Sequence, residues 1–227
     1  MLKYLLNLFY PNVCSGCSYI LLESENQICT TCRHEIPLTN HHILKENEAF
    51  KKFYGKIPTE FTSSMLYYHK KGITQQLIHN LKYNRQQKIG TVLGEWYAED
   101  LKQNPTLNTV DYIIPVPLHK KRLKERGYNQ ITTFCKALSL NLSIAVDDNL
   151  LFRNQNTATQ SKKNLINRSI LPENTFEARF NQNHHNKHFL LIDDVLTTGA
   201  TLENCGRAIL QIPGAKISIV TIAFSES

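Results

Sequence analysis

The segment FLLIDDVLTTGAT, residues 189–201, joins an apolar run to two adjacent aspartates and then to a turn of threonine, glycine and alanine. Adjacent carboxylates repel each other, so Asp193 and Asp194 after a strand-like run indicate a bound cation or a ligand with several hydroxyl groups. The small residues that follow allow successive backbone N–H groups to converge on one anion, with a helix N-terminus behind them. The segment therefore predicts a phosphate-binding loop beyond a buried strand.

The polar side chains of this loop narrow the choice of ligand. Thr197, Thr198 and Thr201 add hydroxyl donors for a phosphate. The two carboxylates are badly placed for a second phosphate, but they can accept hydrogen bonds from a ribose 2′- and 3′-hydroxyl or hold Mg²⁺. Phosphate, diol and metal side by side describe a phosphorylated ribose. The alternative is an aspartate helix cap followed by a threonine-rich turn.

Apolar strands and amphipathic helices alternate through the body of the chain. The strand-like segments are EFTSSMLYY, VDYIIPVP, HFLLI and AKISIVTIAF. The apolar faces of the helices between them are Ile73, Leu77, Ile78 and Leu81; Ile89, Val92, Leu93, Trp96 and Tyr97; Ile131, Phe134, Cys135 and Leu138; and Leu202, Cys205 and Ile209. This alternation predicts an α/β fold in which helices cover both faces of a parallel sheet and the ligand binds beyond the carboxyl ends of the strands.

A basic segment, PVPLHKKRLKERGYNQ, follows the strand that ends at Ile114. Five of the seven residues from Lys120 to Arg126 are lysine or arginine, and Gly127 closes the run. Such a run is commonly a solvated helix face. Because it follows the carboxyl end of a strand, it enters the same crevice as the aspartates, and we interpret it as an anion-binding segment.

The cysteines of the N-terminal region have the spacing of metal ligands. Four of the six cysteines form the pattern C-x2-C-x11-C-x2-C, at Cys14, Cys17, Cys29 and Cys32. Two such knuckles complete a tetrahedral four-thiolate zinc site, and the alternatives are two disulfides or a redox pair. His34, His41 and His42 lie nearby in sequence and could replace a cysteine ligand. Four thiolates leave no open coordination position, so the site predicts structure or partner binding rather than catalysis.

The zinc pattern divides the chain into residues 1–40, an N-terminal helix and zinc ribbon, and residues 41–227, the α/β domain. The opening MLKYLLNLFYP predicts an amphipathic helix ended by Pro11 rather than a signal peptide, because its apolar run is short and no small-residue cleavage site follows. No run approaches the roughly 18 apolar residues of a membrane span. We therefore expect a cytoplasmic protein without a membrane span.

The charge balance indicates the kind of partner but not its identity. The 227 residues carry a formal net charge of +7. Such an excess suits a polyanion, either a phosphorylated small molecule or nucleic acid, although a mildly basic enzyme without such a partner has a similar balance.

The segment FLLIDDVLTTGAT resembles the signature of the type I phosphoribosyltransferases, in which four apolar, two acidic and two apolar residues precede T-T/S-G-x-T. The wider order of motifs is similar to the ComF family of competence proteins. These motifs are the four-cysteine ribbon, YYHKKGITQQLIHNLKYNRQ, IIPVPLHKKRLKERGYNQ, RNQNTATQSKKNLINR and the signature. The resemblance covers nearly the whole chain, and it implies a type I phosphoribosyltransferase fold with a hood subdomain and an N-terminal zinc ribbon.

The resemblance also implies a role in binding phosphoribosyl pyrophosphate (PRPP) for each matched position. The implied ribose-diol ligands and catalytic pair are Asp193 and Asp194, and the implied 5′-phosphate loop is Thr197, Thr198, Gly199, Ala200 and Thr201. The implied pyrophosphate loop includes Lys121, Arg122, Arg126 and Gly127. A Lys-Tyr pair is matched by Lys82 and Tyr83, and a mobile hood by Arg153, Thr157, Gln160 and Arg168. Two positions depart from the family pattern: Leu171, where asparagine is usual, and Gln155, where a basic residue is common.

The family is associated with DNA uptake and processing in natural transformation, which implies single-stranded DNA or a competence helicase as a partner. Tyr128, beside the basic segment, suits base stacking in such a complex. A PRPP site with Mg²⁺ also implies a phosphoribosyltransferase that releases pyrophosphate. The alternative function is a nucleobase phosphoribosyltransferase of purine or pyrimidine salvage with an accessory zinc module.

Overall fold

The structure is a computed structural model that describes residues 11–154 and 175–226. The helix predicted before Pro11 lies outside these ranges. The α-helices are α1 (Thr30–Glu35), α2 (Glu48–Lys51), α3 (Ile73–Tyr83), α4 (Lys88–Leu101), α5 (Lys120–Arg126), α6 (Thr132–Leu142) and α7 (Ala200–Ile209). The strands are β1 (Phe61–Tyr67), β2 (Tyr112–Pro115), β3 (Ala145–Val146), β4 (Leu151–Arg153), β5 (Phe176–Ala178), β6 (His188–Leu196) and β7 (Lys216–Phe224). Two short 3-10 helices span Pro105–Thr109 and Gln182–His184.

Five strands form one parallel sheet in the order β1-β7-β6-β2-β3. The central strands β6 and β7 are almost entirely buried, which explains why their sequences are continuous apolar runs rather than alternating ones. Helices cover the sheet, and the predicted α/β class with a parallel sheet is confirmed. Among the described residues, no helix is both long enough and apolar enough to cross a membrane.

Strand β6 is longer than the sequence predicts. The pattern HFLLI predicts a strand that ends at Ile192, whereas β6 continues through both aspartates to Leu196. The cause is its neighbour β7, because Asp193 lies opposite Thr221 and Val195 lies opposite Ala223 in the parallel ladder. The two aspartates are therefore held by sheet hydrogen bonds on a rigid strand.

Helices α4 and α6 pack closely against each other on one side of the sheet. A Cβ atom added to Gly94 of α4 would lie 2.7 Å from Ala137 Cβ and 2.8 Å from the Phe134 carbonyl oxygen of α6. Glycine is thus required here by the close approach of two backbones. The tight pair supports β2 and the start of α6, which lie at the edge of the site.

Strands β4 and β5 form a separate antiparallel pair, with Arg153 opposite Phe176. This pair supports the two ends of the segment that was predicted to form the hood. Arg153 is the one hood residue of the prediction that the structure describes; Thr157, Gln160 and Arg168, together with the departures Gln155 and Leu171, lie outside the described residues.

The four-cysteine region packs on helices of the main body. The side chain of Asn80 in α3 donates to the Ser15 carbonyl at 2.8 Å, and the Ser15 hydroxyl donates to the Gln86 side-chain oxygen at 2.8 Å. The Arg33 guanidinium lies 5.3 Å from the centre of the Trp96 ring in α4. Residues 37–39 then run antiparallel to β1, where the Tyr67 amide donates to the Pro37 carbonyl at 2.8 Å.

Candidate functional site

The loop after β6 has the local geometry of an anion-binding site. Thr197 and Thr198 are exposed, and Gly199 has a φ of 82° that makes the backbone turn into α7. Gly199 also lies under the buried ring of Phe53, which a Cβ atom would approach to 3.2 Å. Because α7 begins at Ala200, its first N–H groups have no acceptor within the helix, so they are available to an anion at this loop.

The two aspartates have different surroundings. Asp194 is buried, and its Oδ2 atom lies 2.9 Å from Lys82 Nζ and accepts a hydrogen bond from Gln130 Nε2 at 2.5 Å. Asp193 is half-buried, and its Oδ1 atom accepts from the Asp194 backbone amide at 2.8 Å. Burial and the neighbouring Asp194 carboxylate raise the pKa of Asp193 to about 7, against the attraction of Lys82 and Arg153. The pair therefore places one carboxyl that titrates near neutral pH beside one that is held by a lysine.

The basic segment is a helix rather than a loop. Helix α5 spans Lys120–Arg126, with the His119 side chain accepting from the Lys121 amide at its start and Gly127, at a φ of 79°, at its end. None of its residues is buried. Lys121 lies on the exposed side, with its Nζ atom 4.0 Å from Glu125, whereas Arg126 turns toward α3.

Helices α3 and α5 enclose a basic cavity of about 360 Å³. Its lining residues are Lys82, Tyr83, Arg85, Arg122, Glu125, Arg126 and Tyr128. The Arg126 guanidinium lies 5.0 Å from the centre of the Tyr83 ring, a cation–π distance. The cavity thus brings together the Lys-Tyr pair and two of the predicted pyrophosphate-binding residues, Arg122 and Arg126.

Arg153 lies near both the aspartate pair and the basic helix. Its side chain is half-buried, with its guanidinium 5.3 Å from the centre of the Phe176 ring. Burial and repulsion from Arg122 lower the pKa of Arg153, while Asp193 opposes this effect. The end of β4 therefore faces the same crevice as Asp193 and Arg122.

The four cysteine sulfurs converge as metal ligands do. The Sγ atoms of Cys14, Cys17, Cys29 and Cys32 all lie within 4.8 Å of one another, and no disulfide joins them. The Cys29 amide donates to Cys14 Sγ at 3.2 Å and the Gly16 amide donates to the same sulfur at 3.4 Å, contacts that stabilise a thiolate. Four close sulfurs can hold a metal such as zinc. His41 lies elsewhere, with its ring centre 5.4 Å from that of Phe224.

Sequence reasoning missed two residues of this site. Gln130 connects Arg126 to Asp194, and Arg85 lines the basic cavity. Gln130 directly precedes the apolar face that begins at Ile131, and its side chain is buried. Glutamine is seldom buried, so its burial here indicates a polar partner. Arg85 has a φ of 55° in the turn after α3, and nothing in its local sequence indicates where that turn leads.

The amino-acid sequence was compared with those of known proteins. No protein-family model matches the chain. The chain is 26% identical over 224 residues to competence protein F of Haemophilus influenzae, covering 95% of this chain and 98% of that protein. It is also 26% identical over 206 residues to competence protein ComFC of Bacillus subtilis, covering 88% and 78%. These two relatives support the resemblance of the chain to the ComF family.

Two further comparisons are shorter. DNA utilization protein YhgH of Escherichia coli strain K12 is 30% identical to this chain over 146 residues, and the match spans 63% of the length of each protein. The structure of this chain superposes on the solved structure of adenine phosphoribosyltransferase from Leishmania tarentolae with a TM-score of 0.38 and 12% sequence identity. The superposition covers 63% of this chain and 73% of the other.

Proposed function

We propose that this ComF-type protein binds PRPP together with Mg²⁺, in a role connected with the uptake and processing of DNA in competence. One observation carries the PRPP proposal: Asp193 and Asp194 lie near the carboxyl end of β6, just before the loop at residues 197–199, with the basic cavity across from them. The names of the related competence proteins support the biological setting. We also propose that the protein acts in the cytoplasm. Residues 1–40 are proposed to form a zinc-binding module of their own.

Each part of PRPP has a chemically matched group in this arrangement. The 5′-phosphate would lie against the backbone and hydroxyls of residues 197–201, and the ribose diol would donate to the two carboxylates. The pyrophosphate would lie in the basic cavity beside Arg122 and Arg126, with Lys121 and Gly127 at the rim of α5. The pair Lys82 and Tyr83 closes the far side of that cavity.

The donor set around the aspartates suits Mg²⁺, which takes carboxylate and phosphate oxygens and keeps several waters. When bound with PRPP, the ion would neutralise charge on the departing pyrophosphate. Asp193 and Asp194 would hold the diol and the ion, while Arg122 and Arg126 would supply positive charge that is already in position. Arg153 at the end of β4 would add a further positive charge on the side of Asp193 and Arg122.

The direct test is calorimetric titration of the zinc-loaded protein with PRPP and Mg²⁺. The Asp194→Asn variant is expected to weaken binding by about tenfold or more, because a charge-assisted hydrogen bond to the diol is lost. The matched control is Asp148→Asn, an exposed aspartate in the turn after β3. If Asp194→Asn and Asp148→Asn bind PRPP equally well, the diol assignment is wrong.

Single-stranded DNA is the proposed macromolecular partner, contacting the basic cavity from outside. Tyr83 is the better stacking platform of the two tyrosines, because it is 62% exposed while the Tyr128 hydroxyl donates to the Leu81 carbonyl at 2.6 Å. Affinity for an oligonucleotide should fall steeply between low and moderate salt, and Tyr83→Ala should weaken it more than Tyr54→Ala, a control just after α2 that is 78% exposed. A competence helicase would be sought by binding assays with purified protein.

One cavity favours the second candidate function, a nucleobase phosphoribosyltransferase. It has a volume of about 330 Å³ and lies between α3 and the loop after β6. Its lining includes the rings of Tyr68, His79 and Tyr83 next to Val195 and Thr197, which suits a flat aromatic acceptor. Release of pyrophosphate from PRPP in the presence of a purine or pyrimidine base would establish this function, and failure with all common bases would rule it out.

The four-cysteine cluster is proposed to hold one structural Zn²⁺. The expected metal content is one zinc per chain, and Cys17→Ser should abolish it. Cys135→Ser, which changes a buried cysteine of α6, should leave the zinc content unchanged.

A further inference from the structure

Gln130 lies between the basic helix and the aspartate pair. It is 4% exposed and directly precedes Ile131, the N-terminal flank of α6. Arg126 Nη1 donates to Gln130 Oε1 at 2.6 Å, and Gln130 Nε2 donates to Asp194 Oδ2 at 2.5 Å. A guanidinium can only donate and an ionised carboxylate can only accept, so the amide has one orientation that satisfies both partners.

The backbone around Gln130 is fixed from three sides. The Tyr128 hydroxyl donates to the Leu81 carbonyl of α3 at 2.6 Å, and the Asn129 side chain donates to the Val116 carbonyl after β2 at 3.0 Å. The Thr132 amide donates to the Asn129 carbonyl at 3.0 Å, which forms the turn into α6. The Gln130 side chain therefore starts from a rigid position, and its amide transmits a change at one partner to the other.

Both ends of this connection carry charge. Asp194 is faced by Lys82 of α3, by Gln130 and by its neighbour Asp193 on β6, and both Lys82 and Gln130 contact the same oxygen, Oδ2. Neither of these two contacts involves Oδ1. At the other end, Arg126 also lies against the Tyr83 ring, so that its side chain is held between an aromatic face and the glutamine.

We propose that Gln130 is a positioning residue that couples pyrophosphate binding at Arg126 to ribose-diol binding at Asp194. This inference rests on the proposed PRPP function. A pyrophosphate that fixes Arg126 also fixes the Gln130 carbonyl, and the amide then holds the Asp194 carboxylate in the orientation that accepts the diol. A ligand that reaches both ends gains from the coupling, whereas ribose 5-phosphate, which has no pyrophosphate, reaches only the aspartate end.

The test compares PRPP with ribose 5-phosphate, each titrated with Mg²⁺ into wild type and into Gln130→Met, which keeps the length of the side chain and removes both hydrogen bonds. The affinity for PRPP is expected to fall about ten- to a hundredfold, because hydrogen bonds to charged groups are lost. The affinity for ribose 5-phosphate should fall much less, so the preference for PRPP collapses. Gln211→Met, an exposed glutamine at the opposite end of α7 from the loop, is the matched control and should bind as wild type.

A double-mutant cycle with Arg126→Met separates coupling from a purely structural role. If Gln130 acts through Arg126, the two substitutions together cost less PRPP affinity than the sum of their separate effects. Equal losses for the two ligands, combined with additive effects in the cycle, would overturn the inference. Failure of the wild type to bind PRPP would instead overturn the proposed function itself.

Gln130→Glu provides a second variant if Gln130→Met does not fold. The glutamate still accepts from Arg126, but its carboxylate faces Asp194 and cannot donate to it when ionised. The expected result is a loss of preference for PRPP over ribose 5-phosphate. A preference equal to that of the wild type in this variant would also contradict the coupling.

Discussion

At the scale of single residues, the site depends on keeping two neighbouring carboxyls in unlike states. Asp194 is neutralised by Lys82, whereas the pKa of Asp193 is raised to about 7 by burial and by Asp194. Holding Asp193 ionised opposes folding, since the group prefers to be protonated in the folded protein. The half-buried Asp193 therefore lowers the stability of the fold when it is ionised, but it is suited to binding a positively charged or hydrogen-bond-donating ligand.

Asp193→Asn is expected to stabilise the protein and to weaken PRPP binding. At pH 8 the substitution removes a buried charge next to Asp194, and a gain of about 1 kcal/mol corresponds to a rise of roughly 2–4 °C in Tm for a chain of this size. At pH 5 the wild-type carboxyl is already protonated, so the gain in Tm should nearly vanish. Thermal unfolding at both pH values, with the exposed Asp148→Asn as control, measures the difference.

The affinity for PRPP and Mg²⁺ should increase as the pH rises from 6 to 8. Asp193 must lose its proton to accept from the diol or to bind the ion, and in the folded protein that proton is lost around pH 7. Below this pH, affinity should change by up to about tenfold per unit, as one proton is released on binding. Calorimetry across the pH range tests this slope, and an unaltered slope in Asp193→Asn would assign the titration to another group.

The sequence alone predicted the residues of this site whose chemistry depends on neighbours along the chain. Asp193, Asp194 and the threonines of residues 197–201 form one continuous pattern, and the structure has them at the end of a strand and the start of a helix. Gln130 escaped prediction because its role depends on Asp194, a partner 64 residues away in sequence. A local pattern contains no information about such partners.

At the scale of elements, the pair of helices α4 and α6 shows how backbone proximity sets the requirement for glycine. Alanine usually stabilises a helix interior by about 1 kcal/mol relative to glycine. At Gly94, however, an added Cβ would meet the Phe134 carbonyl oxygen at 2.8 Å, and a backbone atom cannot move aside without shifting the helix. The steric cost should therefore exceed the gain in helix propensity.

Gly94→Ala is expected to lower the free energy of unfolding by about 1–3 kcal/mol, the range for overpacking of a close contact. Chemical denaturation with an unchanged slope against denaturant concentration would measure this loss. Lys136→Ala, at an exposed position of α6, should change stability by less than about 0.5 kcal/mol. Stabilisation by Gly94→Ala would show that the two helices have room to separate.

Sequence periodicity predicted the existence of these helices and strands more reliably than the positions of their ends. Most residues of the predicted apolar faces of α3, α4, α6 and α7 are buried, whereas Ile73, Val92 and Trp96 are half-buried. Two elements differ from the prediction, and for strand β6 the cause is a neighbouring strand. Strand β6 continues because β7 offers hydrogen bonds as far as Phe224, and the basic run is helical although all of its side chains are at least partly exposed.

At the scale of the whole molecule, the four-cysteine region and the site share helix α3. Ser15 contacts Asn80 and Gln86, and these two residues flank Lys82 and Tyr83. We expect a module of this size to have too few apolar residues to fold without a metal, so the proposed zinc would supply about 10 kcal/mol or more, as in comparable sites. The state of the metal site should therefore affect the position of Lys82.

Removal of the metal by a chelator is expected to unfold the four-cysteine region and to weaken PRPP binding several-fold, with recovery on addition of Zn²⁺. Circular dichroism and calorimetry on the same samples would measure the two effects. Ser15→Ala separates them, since it keeps all four cysteines but loses the hydrogen bond to Gln86. Full PRPP affinity in the metal-free protein would mean that the two parts are independent.

The order of strands in the sheet could not be predicted from the sequence. The alternation of strands and helices gives a parallel sheet, but not the position of each strand within it. Strand β7, which follows β6 in the chain, lies in the interior of the sheet between β6 and the edge strand β1. No local pattern distinguishes this order from one in which β7 lies at an edge.

This position of β7 between β1 and β6 also affects the speed and order of folding. The hydrogen bond between the Ser64 and Thr221 side chains closes a separation of 157 residues, and among the described strands β1 pairs with β7 alone. Contacts so distant in sequence are slow to form, because the entropy of closing the intervening chain is lost before they are made. During synthesis, β1 therefore remains without its parallel neighbour until residues 216–224 have emerged, and until then the nascent chain exposes an incomplete sheet to chaperones.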